Sequence, residues 1–314
     1  MTLTTHTITI LHTNDMHSSL EAMSRLSAYA KQMRRELEEQ GHSVFFFDAG
    51  DAADRRVRFV GVTKGYAFPP VLAAMGYDLQ ALGNAISVTY GPQAAAKMAQ
   101  RAEYPILAGN LFDENGPLLE GFQATQSQAL PGGLRLGVIG LTVHAPDIYS
   151  LFNLDVPHFI DAARRWAGSL ARSGRGPLVV VSHLGIREDR ELAAAGLGID
   201  VIIGGHSHTL LPEGEWVDGT LIAQTGQYAE NLGRVDLVID TETGAVLSKS
   251  AVVIPIPADT PPDLAVLAAI QSAETEAREL LDKPIVEIAE RLGLDHFAEC
   301  AIANLGADAL LDRM

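Results

Sequence analysis

The sequence predicts an α/β protein built on a mostly parallel sheet. Short apolar runs of strand length alternate with longer segments of helical periodicity. Several of the apolar runs end in glycine or in a residue with a polar side chain, and further glycines are spread over the connections. Such runs are typical of strands buried in a parallel sheet, whose carboxyl edge is where open α/β folds bind ligands.

The chain begins with a strand followed by a helix. Residues 8–13 alternate apolar and polar side chains and end in Asn14-Asp15-Met16-His17. Residues 20–40 have apolar positions at helical spacing and a charged face, which predicts a helix covering the sheet. Asp15 and His17 therefore lie in a loop between a strand and a helix.

A second apolar run, residues 44–47, ends in Asp48-Ala49-Gly50-Asp51. Residues 52–64 are predicted to be a polar loop that contains Arg55 and Arg56. An arginine beside a metal site can bind phosphate through two parallel hydrogen bonds, and these two are the best candidates for that role. A solvated loop of charges is the preferred alternative, since loop side chains cannot be aimed from sequence.

The middle of the chain repeats the pattern. Helices are predicted at 66–75, 93–101 and 159–172, and strands at 79–82, 105–108 and 134–140. The first of these strands ends in Gly83-Asn84 and the second in Gly109-Asn110. Asn110 is a candidate for lining the cleft, although structural support of the loop is its preferred role.

Two further strands end in histidines. Residues 178–181 lead to His183, and residues 199–203 lead through Gly204-Gly205 to His206 and His208. The two glycines let the backbone turn tightly at the strand end. A later strand, 220–223, precedes Gln227 and Tyr228, which are candidates for contacting a substrate, and 235–254 predicts an edge hairpin.

Five strand ends thus present seven polar side chains to one edge of the sheet. They are Asp15, His17, Asp51, Asn84, His183, His206 and His208. Imidazole and carboxylate ligands suit Mn, Fe, Zn and similar divalent ions. Seven ligands are too many for one tetrahedral ion, so we expect two ions that share a bridging carboxylate.

These motifs resemble the calcineurin-like metallophosphoesterases, and within them the catalytic domain of the 5'-nucleotidase and 2',3'-cyclic-nucleotide phosphodiesterase branch. The resemblance extends over residues 8–240. Its motifs are Leu11-His12-Thr13-Asn14-Asp15-Met16-His17, Asp48-Ala49-Gly50-Asp51, Gly83-Asn84, Val181-Ser182-His183-Leu184-Gly185, Gly204-Gly205-His206-Ser207-His208-Thr209 and Gln224-Thr225-Gly226-Gln227-Tyr228.

The resemblance implies a four-layer α/β/β/α sandwich and a dimetal phosphoester hydrolase. One metal is expected on Asp15, His17, Asp51 and His208, and the other on Asp51, Asn84, His183 and His206, so that Asp51 bridges. Asp51, Asn84 and His183 are the expected catalytic residues. A hydroxide between two ions of Mn, Zn or Fe is the expected nucleophile, and a small phosphoester or a nucleotide the expected substrate.

The sequence departs from this family after Asn84. The family has a histidine where this chain has Ala85, and no carboxylate occurs from Asn84 to Gly91. That histidine normally stabilises the phosphoryl oxygens or protonates the leaving oxygen, a contribution of about 10²–10⁴-fold. The chain is therefore a slow phosphatase, an enzyme for diesters or activated esters, or an inactive metal-binding relative acting as a scaffold or sensor. His12, His144 and Tyr90 are candidates for a replacement, with ordinary packing as the preferred role of each.

The predicted domain organisation has three parts. Residues 1–254 form the dimetal domain, 255–262 a Pro-rich linker, and 263–314 a helical tail. The first tail helix, 263–281, has apolar positions at Leu264, Leu267, Ile270 and Leu280. The end of the tail resembles the opening helix of the second domain of the 5'-nucleotidases.

Composition limits the partners. The net charge of −16 disfavours nucleic-acid binding, which needs clustered Lys and Arg. A single cysteine allows no intramolecular disulfide. No apolar run approaches the roughly 18–20 residues of a membrane span, and no signal-peptide pattern is visible at the start. We therefore expect a cytoplasmic protein without a membrane partner.

Overall fold

The computed structural model describes residues 4–284, 287–288, 291–295 and 297–312. Parts of the predicted helical tail, at 285–286, 289–290, 296 and 313–314, lie outside the described residues. The chain forms two compact units, Met1–Arg278 and Glu279–Met314. Each helix that the structure describes is too short or too polar to cross a membrane.

The first part of the larger unit alternates strands and helices. In chain order its elements are β1 (Thr5–Thr13), α1 (Leu20–Glu39), β2 (Ser43–Asp48), α2 (Arg58–Thr63), α3 (Pro69–Met75), β3 (Leu79–Ala81), α4 (Asn84–Ser87), α5 (Pro92–Arg101) and β4 (Ile106–Leu107).

The remaining elements continue this alternation and then form a long hairpin. They are β5 (Phe112–Asp113), β6 (Thr125–Ala129), β7 (Arg135–Leu141), α6 (Pro146–Tyr149), β8 (Leu154–Asp155), α7 (Phe159–Ser173), β9 (Leu178–Ser182), α8 (Ile186–Ala193), β10 (Val201–Gly204), β11 (Glu215–Val217), β12 (Thr220–Ala223), β13 (Asn231–Asp240), β14 (Val246–Pro255), α9 (Leu264–Leu281) and α10 (Ala301–Leu311).

The strands build two six-stranded sheets. The first has the order β14-β13-β1-β2-β3-β4, in which β1 to β4 run parallel and the hairpin β13–β14 is antiparallel to β1. The second has the order β11-β12-β10-β9-β7-β6, with a parallel centre and an antiparallel strand at each edge. β5 and β8 form a separate two-stranded ribbon.

Apolar side chains from both sheets share one buried cluster, which includes Ile10 and Phe47 of the first sheet and Val181 and Ile203 of the second. The outer face of the first sheet packs on α1, α3 and α5, and that of the second on α7 and α8. Each sheet therefore has one face on the other sheet and one face on helices. This confirms the predicted α/β/β/α sandwich.

One local prediction is wrong. Part of the polar loop predicted at 52–64 is the helix α2, because Phe59 and Val60 are buried in the core and anchor it. Arg55 and Arg56 remain in the loop before this helix.

The buried face of α9 is formed mostly by small side chains. Of the four apolar positions noted in the sequence, Leu264, Leu267 and Leu280 are exposed and Ile270 is buried. The buried stripe is Val266, Ile270, Ala273 and Ala277. The small alanines let this helix lie close against its neighbours, so the largest side chains do not mark its inner face.

Candidate metal centre

The polar side chains expected at the sheet edge do lie at carboxyl ends of strands. Asp15 and His17 follow β1, Asp51 follows β2, and Asn84 is the first residue of α4 after β3. In the second sheet, His183 follows β9, and His206 and His208 follow β10. Because the two sheets pack face to face, these loops meet at one end of the sandwich.

The first group consists of Asp15, His17 and His208, whose ligand atoms lie within 4.8 Å of one another. Asp15 Oδ1 is 3.4 Å from His208 Nε2 and 3.8 Å from His17 Nε2. Asp15 is fully buried, and its Oδ1 has no hydrogen-bond partner within the described ranges. A buried carboxylate oxygen costs free energy unless it is paired, so this arrangement fits a bound cation.

The second group consists of Asp15, Asp51 and His183. His183 Nδ1 lies 2.7 Å from the Ala49 carbonyl, which can only accept, so Nδ1 carries a proton. Its Nε2 faces two oxygens, Asn84 Oδ1 at 3.2 Å and Asp51 Oδ2 at 3.3 Å. In the neutral ring, Nε2 presents a lone pair toward these oxygens, which is the orientation of a metal-ligating histidine.

The charges around His183 favour a cation at this position. Burial alone would lower the pKa of His183, but the Asp51 and Asp15 carboxylates outweigh burial and raise the pKa to about 9. Burial likewise works against the ionised form of Asp51, yet His183 holds the pKa of Asp51 below its ordinary value. The site therefore stabilises positive charge at Nε2, from either a proton or a metal ion.

His206 lies beside these groups. Its backbone N–H donates to Asp15 Oδ2 at 2.8 Å, and its ring centroid is 5.2 Å from that of His183. Burial, followed by the charge of His183, lowers the pKa of His206, which favours the neutral ring that binds metals. The two groups of ligand atoms share Asp15, whereas the sequence resemblance implies Asp51 as the bridge. Asp15 as the shared ligand and Asp51 as the bridging ligand are therefore both predictions.

The loops that carry these side chains have strained backbone conformations. Asp15, Asp51, His206 and His208 all have φ between 51° and 71°. Such conformations cost free energy and persist where the surroundings enforce them, often at functional sites. The carboxylate of Asp51 approaches the backbone of Gly83 so closely that a Cβ there would overlap it, so this position requires glycine.

Sequence reasoning missed three supporting side chains. Asn14 donates to Asp15 Oδ2 and to the Gly226 carbonyl, which links the first loop to the last. Gln224 accepts from Thr209 N and donates to the Gly205 carbonyl, which holds the loop of His206 and His208. Asp54 Oδ2 lies 3.1 Å from His17 Nδ1. Asn14 and Gln224 belong to motifs quoted above, but no spacing shows what they contact.

A fourth missed residue is Asp189, whose contact with Ser182 supports the turn that carries His183. Ser182 Oγ donates to Asp189 Oδ1 at 2.5 Å and accepts from Leu184 N at 3.2 Å, which fixes the turn that carries His183. Asp189 is fully buried in α8, and burial raises its pKa to about 8. Its other oxygen, Oδ2, has no partner in the described structure.

The candidate substrate contacts lie in different environments. Arg56 Nη1 donates to Tyr228 Oη at 3.1 Å, and the ring of Tyr228 packs against His17 at 5.9 Å between centroids. Both therefore lie next to the first group. Asn110 is fully buried and exchanges two hydrogen bonds with the Thr142 backbone, as expected of a structural residue. The remaining candidates are Arg55, which is exposed, and Gln227, which is partly buried.

The candidates for replacing the missing histidine differ in position. His12 is buried against Gly233, and burial lowers its pKa to about 3, which favours packing as its role. Tyr90 lies near Gly61 of α2. His144 lines a cavity that His206 also lines. Ala85 itself donates its backbone N–H to Asp51 Oδ1 at 2.7 Å.

The two-sheet sandwich and the histidine–carboxylate groups at its edge define an α/β/β/α protein with a candidate metal centre. The family model for the calcineurin-like phosphoesterases matches residues 8–210. The chain therefore belongs to the calcineurin-like phosphoesterase family.

Individual relatives agree with this assignment. The chain is 30% identical over 302 residues to the uncharacterized metallophosphoesterase YunD of Bacillus subtilis, covering 96% of this chain and 65% of YunD. It is 27% identical over 349 residues to the human 5'-nucleotidase, covering 97% of this chain and 60% of that protein. The chain thus spans less than two thirds of these relatives.

Solved structures show the same fold. The 5'-nucleotidase precursor from Thermus thermophilus superposes with a TM-score of 0.73 at 24% identity, covering 98% of this chain and 67% of that one. The calcineurin-like phosphoesterase YfkN from Bacillus subtilis has a TM-score of 0.73 at 20% identity, covering 89% of this chain and all of that one.

Proposed function

We propose that the protein is a dimetal-dependent hydrolase of small phosphoesters. The observation that carries the proposal is the pair of adjoining ligand groups, Asp15-His17-His208 and Asp15-Asp51-His183, at the edge of the sandwich. The Nε2 atoms of His17 and His208 lie 3.0 Å apart, and both are within 3.8 Å of the buried Asp15 Oδ1. A single proton or cation among these three atoms would satisfy all of them.

The proposed ligand assignment follows the family resemblance. One ion would be held by Asp15, His17, Asp51 and His208, and the other by Asp51, Asn84, His183 and His206. Mn, Zn or Fe would suit these imidazole and carboxylate ligands. Such ions would supply a water of lowered pKa as the nucleophile and would neutralise charge on the phosphoryl oxygens.

The chain's own residues position the ligands and the substrate. Asp54 and the Ala49 carbonyl orient His17 and His183 through their Nδ1 atoms, and such outer contacts fix the ring that binds the metal. Arg56, held by the Tyr228 hydroxyl beside His17, is the proposed contact for a phosphoryl oxygen. Its guanidinium presents two parallel donors, which matches the spacing of two phosphate oxygens.

Ala85 sets the preferred reaction. A methyl group neither donates a hydrogen bond to a phosphoryl oxygen nor protonates a leaving group. A diester or an activated ester with a good leaving group needs less protonation, so small phosphodiesters such as cyclic nucleotides are favoured over monoesters. A nucleotide substrate is suggested by the 5'-nucleotidases to which the chain is similar.

Hydrolysis of two nitrophenyl esters tests this proposal. Metal-free protein is reloaded with Mn²⁺, Zn²⁺ or Co²⁺ and given bis-p-nitrophenyl phosphate or p-nitrophenyl phosphate. Metal-dependent turnover of the diester, faster than that of the monoester, is expected. Turnover of neither ester by protein that binds two metals per chain would contradict the proposal.

Ala85 also supports a second candidate function, a metal-binding scaffold or sensor without turnover. Metal binding contributes folding free energy by itself, so a complete ligand set is compatible with an inactive protein. This candidate predicts metal-dependent stability without hydrolysis of any ester.

A further inference from the structure

A cavity of about 300 Å³ opens beside the candidate metal centre. His206 and Ser207 line one side, His144 another, and Leu184 and Ile186 provide apolar surface. None of the functional assignments made above uses this cavity. Because His206 borders both the cavity and the metal-binding groups, a substituent on a phosphoester held at the metals can reach it.

Two oppositely charged residues, Arg187 and Glu188, are among those that line the cavity. Arg187 donates to Glu188 Oε1 from Nη2 at 2.7 Å and from Nε at 3.1 Å, so the pair is held through that oxygen. The other oxygen, Oε2, forms no hydrogen bond in the part of the chain that the structure describes. The Glu188 side chain is 23% exposed, and Glu188 is one of the residues that line the cavity.

Gly185 brings this carboxylate close to the metal centre. A Cβ at Gly185 would lie 3.5 Å from Glu188 Oε2 and also 3.5 Å from His206 Cδ2. The carboxylate and the His206 ring therefore flank the same small patch of backbone. Gly185 has a φ of 105°, which any other residue rarely adopts, so the close approach depends on glycine.

Another part of the wall is aromatic. The ring of His144 packs edge-on against His158, with centroids 5.3 Å apart, and against Phe159 at 5.8 Å. His144 therefore presents a packed ring to the cavity. Side chains that are already packed lose less conformational entropy when a ligand binds.

We propose that this cavity binds the organic group of the phosphoester and that Glu188 Oε2 accepts a hydrogen bond from a hydroxyl on it. The oxygen that Arg187 leaves unbonded can accept a hydrogen bond from a neutral hydroxyl, and the chain's net charge of −16 disfavours a second phosphate. The apolar walls suit the carbon skeleton of a sugar or a nucleoside. The link to hydrolysis rests on the proposed function, but binding to the cavity does not.

Nucleoside binding tests the proposal without any catalysis. Uridine and 2',3'-dideoxyuridine, which lacks both ring hydroxyls, are titrated into the protein and followed by calorimetry or NMR. The wild type should bind uridine about tenfold more tightly, the expected value of a hydrogen bond to a charged group. Binding of neither nucleoside, or equal binding of both, would overturn the proposal.

Two variants assign the effect to Glu188. Glu188→Ala, which leaves no acceptor, should remove the preference for uridine, and Glu191→Ala, the same truncation at an exposed residue of the same helix, should keep it. A preference that survives Glu188→Ala would equally overturn the proposal. The p-nitrophenyl esters of the two nucleoside 5'-phosphates then separate the two proposals. Discrimination in binding without hydrolysis contradicts the proposed function alone, and hydrolysis without discrimination contradicts the cavity alone.

Discussion

The Nε2 atoms of His17 and His208 lie 3.0 Å apart, although the residues are 191 positions apart in sequence. His17 Nδ1 faces the carboxylate of Asp54 at 3.1 Å, so the proton of the neutral ring lies on Nδ1 and Nε2 carries a lone pair. That lone pair points at a second imidazole nitrogen. Two nitrogens approach in this way when they share a proton or a metal ion.

Removing the carboxylate behind His17 should weaken metal binding. Asp54→Ala leaves the ring nitrogen without its acceptor, and loss of such an outer contact typically costs about 10–100-fold in metal affinity. Calorimetric titration of the metal-free protein with Mn²⁺ measures the effect.

Asp113→Ala is the matched control for this variant. Asp54 and Asp113 each accept from the backbone N–H two residues ahead, so both variants lose the same kind of turn. The control should keep the wild-type affinity. Equal Mn²⁺ affinity in Asp54→Ala and wild type would show that Asp54 does not orient a ligand.

Neutralising Asp15 should remove the dependence of stability on metal. At free Mn²⁺ about 100 times the dissociation constant, the wild type should gain roughly 2.7 kcal/mol in the free energy of unfolding. Asp15→Asn should lose most of this gain, because Asp15 belongs to both groups of ligand atoms. Urea unfolding with Mn²⁺ and with EDTA measures the difference.

Asp218→Asn controls for the backbone conformation. Asp15 and Asp218 have φ of 51° and 45°, a region that asparagine tolerates, and Asp218 is exposed. The control should respond to Mn²⁺ as the wild type does. A full metal response in Asp15→Asn would place the ion elsewhere.

The sequence predicts the sheet edge well because strand ends are local signals. Each expected ligand follows an apolar run, and the run and its glycines are visible without any tertiary information. The links between loops are different. Asn14 bonds to Thr225 and Gly226, more than 200 positions away, and nothing near Asn14 in sequence marks these partners. The leucines of α9 likewise do not mark its buried face, because alanines pack there.

Restoring the histidine of the family should raise activity. Ala85 contacts Asp51 through its backbone N–H, a contact that Ala85→His preserves. The added imidazole should increase kcat for uridine 5'-monophosphate, whose leaving oxygen needs a proton, by about 10²-fold, the lower end of the contribution of a positioned acid or charge donor.

Ala94→His places the same side chain on a partly exposed position of α5 and should leave kcat unchanged. An unchanged kcat in Ala85→His, with metal still bound, would favour the scaffold or sensor over an enzyme that lacks an acid. The comparison is therefore the sharpest test between the two candidate functions.

Asp189 should make the protein less stable as the pH rises. Burial raises its pKa from 3.8 to about 8, so between these values the folded state holds a proton that the unfolded state has released. Stability falls with pH wherever the folded state binds more protons, and the contribution is lost as the pH rises toward 8. Asp189→Asn keeps an acceptor for Ser182 but does not ionise, so this part of the decline should disappear.

Urea unfolding in EDTA at about pH 5 and about pH 8 measures the decline in the free energy of unfolding, with the exposed Asp259→Asn as control. The same decline in Asp189→Asn as in the wild type would mean that other groups cause it.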